Sequence, residues 1–181
     1  EGFSSQLQDK NAVWLDYGRD NYAGVTWSNI PKSDGRRLFI GWMSNWDYAR
    51  DVPTFKWRSS MTIARELKLK KNKDEFNLQS LPVSELFNYT SKNIQKDLIN
   101  SNEIEDLLSK SDINLAKLNL QFKLKDLKKE KYSFLFYNKV GDTLSLGLNN
   151  LENEFFLNRQ NSGEVDFSEK FAPKISKVKA S

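Results

Sequence analysis

Residues 14–67, WLDYGRDNYAGVTWSNIPKSDGRRLFIGWMSNWDYARDVPTFKWRSSMTIAREL, decide the fold of this chain. They hold all five tryptophans of its 181 residues. Short runs rich in aromatic and β-branched residues alternate with turn signals, the pattern of antiparallel strands. Strands are predicted at residues 11–16, 24–28, 37–42 and 60–69. The stretch PKSDG at 31–35 supplies Asp-Gly turn chemistry, and Pro53 breaks the loop before the fourth run. Four antiparallel strands make one propeller blade. Rings, carboxylates and glycines crowded into one blade suit a site that stacks on a sugar face while hydrogen-bonding its hydroxyls.

Beyond this stretch, the basic run KLKKNK at 68–73 reads as a strand-connecting turn. In residues 81–89, LPVSELFNY, Pro82 breaks the strand pattern and Val83, Leu86 and Phe87 can share a short helical face. The domain junction is placed here, with a blade region at 1–81, a linker at 82–90 and a second domain at 91–181. That second domain loses tryptophan and gains lysine, asparagine, leucine and phenylalanine. A short helix is predicted at 104–110. Residues 115–124, 132–137, 143–148 and, more loosely, 154–158 alternate apolar and polar positions, as half-buried strands do. With hairpin signals at 140–142 and 149–150, this half reads as an antiparallel β-sandwich. Its lysine-bearing tail shows no closing strand, so the sandwich is expected to be incomplete at its C-terminus.

Composition prunes the chemistry. The chain has no cysteine and no histidine, which removes disulfides, thiolate nucleophiles, the commonest general base and the commonest metal ligands. Serine triads and zinc hydrolysis are excluded for this chain alone, and no cofactor or metal is implied. Carboxylate chemistry survives. A net charge of +4, from 28 basic and 24 acidic residues, fits a mixed solvated surface better than nucleic-acid binding. No apolar run approaches the roughly 18 residues of a membrane span. The opening EGFSSQ has neither an initiator methionine nor a signal peptide, so the chain is expected to begin inside a longer parent or after processing. Lack of cysteine is compatible with a secreted, periplasmic or cell-surface bacterial protein and equally with the cytosol.

Asp16, Asp20, Tyr17 and Tyr22 are candidate site residues, with carboxylates to accept sugar hydroxyls and phenols to stack or bond. Their alternative is a turn whose aspartates bond nearby backbone amides. Trp42 and Trp46 can wall a cleft or pack a core. Gly41 permits close backbone approach before Trp42, and Asn45 adds an amide suited to a hydroxyl. Trp57, Arg58 and Arg65 form either a cation-and-ring framework or a buried tryptophan with arginines satisfying carboxylates and carbonyls. The triplet Asn88-Tyr89-Thr90 is given no role.

The ordered series LDYGRDNYAGVTW, DGRRLFIGWMSNWDYA, VPTFKWRSSMTIAREL and, much later, SGEVDFSEKF resembles glycoside hydrolase family 32, the fructan hydrolases and invertases. The resemblance implies an all-β chain, the last blade of a five-bladed propeller followed by an incomplete antiparallel sandwich. It implies a parent that hydrolyses β-fructofuranosyl bonds of levan, inulin or sucrose with retention, by a nucleophilic carboxylate and an acid carboxyl. The family's asparagine-aspartate-proline-asparagine, arginine-aspartate-proline and glutamate-cysteine motifs do not occur here, so catalytic residues are expected outside this chain. Arg19-Asp20-Asn21 lies in a different family element from the arginine-aspartate-proline site. Trp42 matches the family's glycine-tryptophan element, a wall of the fructose pocket, and Asp16, Asp20, Tyr22 and Asn45 match neighbouring positions, all five carried over as substrate-binding candidates. Ala64 stands where the family commonly has proline. The rival expectation is a noncatalytic carbohydrate-binding module, or a sandwich that mediates homo-oligomer contacts through unpaired strand edges.

Overall fold

The computed structural model describes residues 14–72, 75–89, 95, 97, 100–110 and 129–180. Its strands form two antiparallel sheets. The first contains β1 (Tyr22–Thr26), β2 (Arg37–Met43), β3 (Ser60–Met61), β4 (Arg65–Asn72) and β5 (Glu75–Pro82), in the order β1-β2-β4-β5 with β3 also paired to β2.

β2 is the spine of this sheet, because its sequence RLFIGWM is covered on both faces, with Phe39 and Gly41 buried. Along one edge it carries β1. Along the other, its first half pairs β4 through Phe39 and Arg65, and its second half pairs β3 through Trp42 and Met61. The single strand predicted at 60–69 is therefore split. Thr62, 6% exposed, turns its hydroxyl inward to accept from Gly41 N at 2.9 Å, while its own N–H donates to Gly41 O at 2.8 Å. Side chain and backbone together satisfy both groups of Gly41 where the ladder is interrupted.

The PKSDG turn forms as expected. Asp34 N and Gly35 N both donate to Pro31 O, and Gly35 takes φ of 65°, a conformation that glycine adopts without strain. The Arg36 guanidinium grips Asp34 through Nε at 2.6 Å and Nη2 at 2.7 Å. These bonds hold the Asp34 carboxyl down at about 2.

Two further expectations are corrected in this sheet. The basic run at 68–73 is mostly strand, since β4 continues to Asn72: alternate lysines can stand in solvent without breaking the ladder. Residues 14–16 lie in irregular backbone, where Asp16 caps a bend instead of joining a strand. The rest of that predicted run, residues 11–13, lies outside the described residues, as does the whole predicted strand at 115–124.

The second sheet is a meander of β6 (Lys131–Tyr137), β7 (Thr143–Asn149), β8 (Glu154–Asn161) and β9 (Ser176–Lys179), paired in that order. Asn138 shapes the first hairpin, its Oδ1 accepting from Val140 N and Asp142 N. The register puts Tyr132, Leu148, Phe155 and Val178 in one cross-strand row on one face, while Phe156, one position on, is buried on the other. β9 corrects the reading of the tail. With Val178 as its only large apolar residue it carries little hydrophobic pattern, but Lys177 and Lys179 clasp Glu154 at 3.3 and 3.1 Å and hold it in register.

Both sheets belong to one compact unit, Glu1–Leu81 with Leu127–Ser181; Pro82–Asp126 form a second. Within the second unit a 3-10 helix spans Ser84–Tyr89, and α1 spans Ser101–Ser109. α1 starts earlier than predicted because Asn100 Oδ1 accepts from Glu103 N and caps it.

Candidate functional site

Trp42 is the last residue but one of the spine strand β2, and two further rings meet it edge-on. Tyr22, its partner across β1, lies 6.2 Å away between ring centroids at 73°, and Trp46 lies 5.1 Å away at 61°. Trp42 is half-buried, whereas Trp46 is 61% exposed. The three rings thus form a wall whose back is packed and whose rim is open, an arrangement that can stack on the apolar face of a sugar ring.

Backbone irregularities aim these rings. β1 carries a bulge between Tyr22 and Val25, with Ala23 at φ of 48°. Such a conformation costs an alanine roughly 1–2 kcal/mol. Bulges re-aim the side chains beside them, here Tyr22 towards Trp42. Gly41 has an ordinary φ and serves by its bareness: a Cβ there would run into the Asn21 amide.

Asp16 and Asp20 flank the bend that leads into β1. Asp16 Oδ1 accepts from Gly18 N at 2.7 Å, and Oδ2 from Arg65 Nη2 at 2.6 Å and Asn21 Nδ2 at 3.2 Å. Burial pushes the Asp16 carboxyl up, but the Gly18 bond and the bond and charge of Arg65 outweigh it and hold the group below its ordinary value. Asp20 Oδ1 accepts from the Tyr48 hydroxyl, and Oδ2 from Arg159 Nη1 at 2.9 Å. Each aspartate is therefore held by a guanidinium and arranges the local chain. Tyr17 is half exposed.

Asn45 performs a similar service after β2. Its Oδ1 accepts from Asp47 N at 3.0 Å and its Nδ2 donates to Arg19 O at 3.3 Å, which joins the 45–49 turn to the bend before β1. Among the framework candidates, Arg65 binds Asp16, and Arg58 donates to the carbonyls of Arg50 and Val52. Trp57 is 65% exposed, so these arginines do not accompany a buried tryptophan.

Sequence reasoning missed Tyr48 and Arg159. Tyr48 is 2% exposed, with its ring edge-on to Phe171 at 5.1 Å and Phe167 at 6.5 Å. Burial, then the bond to Asp20, raises its hydroxyl pKa. The signal lay in SGEVDFSEKF, whose Phe167 and Phe171 supply this aromatic box. Among the described residues no group of three or more acidic side chains is placed to hold a metal ion, and no helix is long and apolar enough to cross a membrane.

Comparison with known proteins bears directly on this arrangement. Residues 2–80 match the glycosyl hydrolases family 32 N-terminal domain. A levanase of Bacillus subtilis (strain 168) is 36% identical over 171 residues, which cover 93% of this chain. This chain belongs to glycosyl hydrolase family 32.

The family 32 chain spans only 25% of that levanase. It spans 35% of an extracellular exo-inulinase of Meyerozyma guilliermondii, to which it is 27% identical over 183 residues. Its fold is similar to the crystal structure of an exo-inulinase from Aspergillus awamori, with a TM-score of 0.70, 21% identity, and coverage of 94% of this chain and 33% of that one. The structural neighbours in family 32 are β-propeller enzymes, and the first sheet lies within the segment that matches the family domain, apart from its last residues.

Proposed function

We propose that this chain is the last propeller blade and the first part of the β-sandwich of an enzyme that releases terminal fructose from levan, inulin or sucrose with retention. The blade occupies residues 1–81, a linker residues 82–90, and the sandwich residues 91–181. The observation that carries the reading is the aromatic wall of Tyr22, Trp42 and Trp46, set in a chain 36% identical to a levanase. Trp42 and Tyr22 stack on the fructose unit, and Asn45 stands at the rim near its hydroxyls. Asp16 and Asp20 act mainly by holding the wall in shape, because their oxygens already accept from Arg65, Arg159 and their neighbours.

The cutting carboxyls come from the rest of the propeller. Retaining hydrolysis needs a pair about 5 Å apart, one to attack the anomeric carbon and one to protonate the leaving oxygen and later activate water. This chain supplies one side of that pocket and is inactive alone. The whole protein acts outside the cell, in keeping with the extracellular exo-inulinases among its relatives.

Fructose release from levan, inulin and sucrose, measured for this chain and for the longer protein containing it, tests the reading. Release by the longer protein alone is expected; turnover by the isolated chain would refute it. A second reading, a noncatalytic carbohydrate-binding module, draws on the outward-facing Trp46 and Trp57. It predicts saturable binding of fructo-oligosaccharides by the isolated chain, whereas one wall of a pocket binds them too weakly to saturate. Homo-oligomer formation through the sandwich is a separate proposal, tested by light scattering on the longer protein with and without residues 91–181.

A further inference from the structure

We propose that Arg159, a residue of the second sheet, is a positioning residue for the Trp42–Trp46 pair of the first. Arg159 sits in β8, 139 positions along the chain from Asp20, and its guanidinium ties together three separate segments. Nη1 donates to Asp20 Oδ2 at 2.9 Å. Nη2 donates to Phe171 O at 2.8 Å and to the Tyr48 hydroxyl at 3.3 Å. The same group lies 4.2 Å from the centre of the Phe171 ring. A planar fork with several fixed donors is suited to such a junction, and a lysine ammonium could not reproduce it.

The segments it joins bracket the wall. Asp20 lies two residues before Tyr22, and Tyr48 lies two residues after Trp46. Trp46 is exposed, so its orientation depends on the backbone of the 45–49 turn that carries it. That turn is closed by Tyr48 N and Ala49 N donating to Asn45 O, and its buried anchor is the Tyr48 ring between Phe167 and Phe171. A second tie runs alongside, Arg19 Nη2 donating to Lys170 O at 3.3 Å. The second sheet therefore grips both flanks of Trp42, and Arg159 is the point where the grips meet.

That the rings serve a sugar rests on the function proposed above, but the coupling between Arg159 and the rings does not. Two indoles this close give an exciton couplet in the far-ultraviolet circular dichroism spectrum, whose amplitude depends on their mutual angle and needs no carbohydrate. The couplet is first assigned on the full 181-residue chain as the signal lost in Trp46→Phe. Tyr48→Phe removes the hydroxyl but keeps the ring in its box, and Arg159→Ala removes the fork. Both are expected to lose most of the assigned amplitude while still folded. Phe156→Leu, which thins the core of the second sheet elsewhere, is the control and is expected to keep it at a comparable loss of melting temperature. Retention of the couplet in folded Tyr48→Phe and Arg159→Ala would overturn the proposal. So would its loss in Phe156→Leu, which would reduce Arg159 to general stability.

Discussion

The two sheets are built by opposite means. The second is the more regular: β6 and β7 pair without a slip over seven residues, β7 and β8 slip between Thr143 and Ser145 at the end away from β9, the hairpins carry the turn residues their geometry wants, and lysines lace its last strand to Glu154. The first is broken wherever it approaches Trp42. Its edge strand bulges at Ala23, its ladder is interrupted at Thr62, and its aspartates are consumed in fixing bends. Departures from local rules that are held by their surroundings tend to cluster at functional sites. The more regular sheet is a frame, and the one broken beside Trp42 is where side chains are aimed.

If this contrast is right, damage at the junction of the two sheets should be the most severe. Tyr48→Ala empties a fully buried aromatic site and is expected to cost about 3–5 kcal/mol, read by chemical denaturation of the chain. A loss under about 1 kcal/mol would mean that the sheets hold without the aromatic box. Thr62→Val keeps the shape but strands the Gly41 N–H, and is expected to cost about 1–3 kcal/mol in the same assay.

Asp16→Asn sharpens the comparison through pH. The folded Asp16 carboxyl titrates below its unfolded value of 3.8. Its contribution is therefore complete above that value and disappears as pH falls through the folded pKa. With Asp16 and Arg65 each about four-fifths covered, the substitution is expected to cost about 1–2 kcal/mol at neutral pH. The gap between parent and variant should close in acid; a constant gap down to pH about 2 would detach the effect from the carboxylate's charge. The smallest effect is a gain. Ala23→Gly removes left-handed strain and adds chain entropy to the unfolded state, for a net stabilisation of about 0.5 kcal/mol. A loss of stability there would show that the alanine methyl packs usefully.

Much of the frame was legible from residues alone. β2 announced itself by its aromatic and aliphatic run, PKSDG by its turn chemistry, and three strands of the meander by alternation. Legibility failed where a long-range partner overrode a local signal. Nothing near Thr62 says that its hydroxyl replaces a ladder bond, and nothing near Arg159 says that it will meet a carboxylate 139 residues away. β9 was hidden for the opposite reason, because four residues give alternation too little room to register. At the site, the sequence drew attention to Asp16, Asp20 and Asn45 as polar residues beside tryptophans, but chemistry alone could not assign their partners. Those partners include arginines and backbone groups of this same chain.

Gly41 limits the routes by which this wall can be altered, in nature or by design. Any other residue there would press on the Asn21 amide, and Asn21 in turn donates to Asp16. A change at the back of the wall therefore needs compensation at one or two further positions before it is tolerated. Tyr22 and Trp46 stand at the open rim and can be exchanged singly. In such a lineage, preference for one ligand over another would drift at the edge while the back stayed constant, and a mutant library spent on Tyr22 and Trp46 would return more working variants than one spent on Gly41.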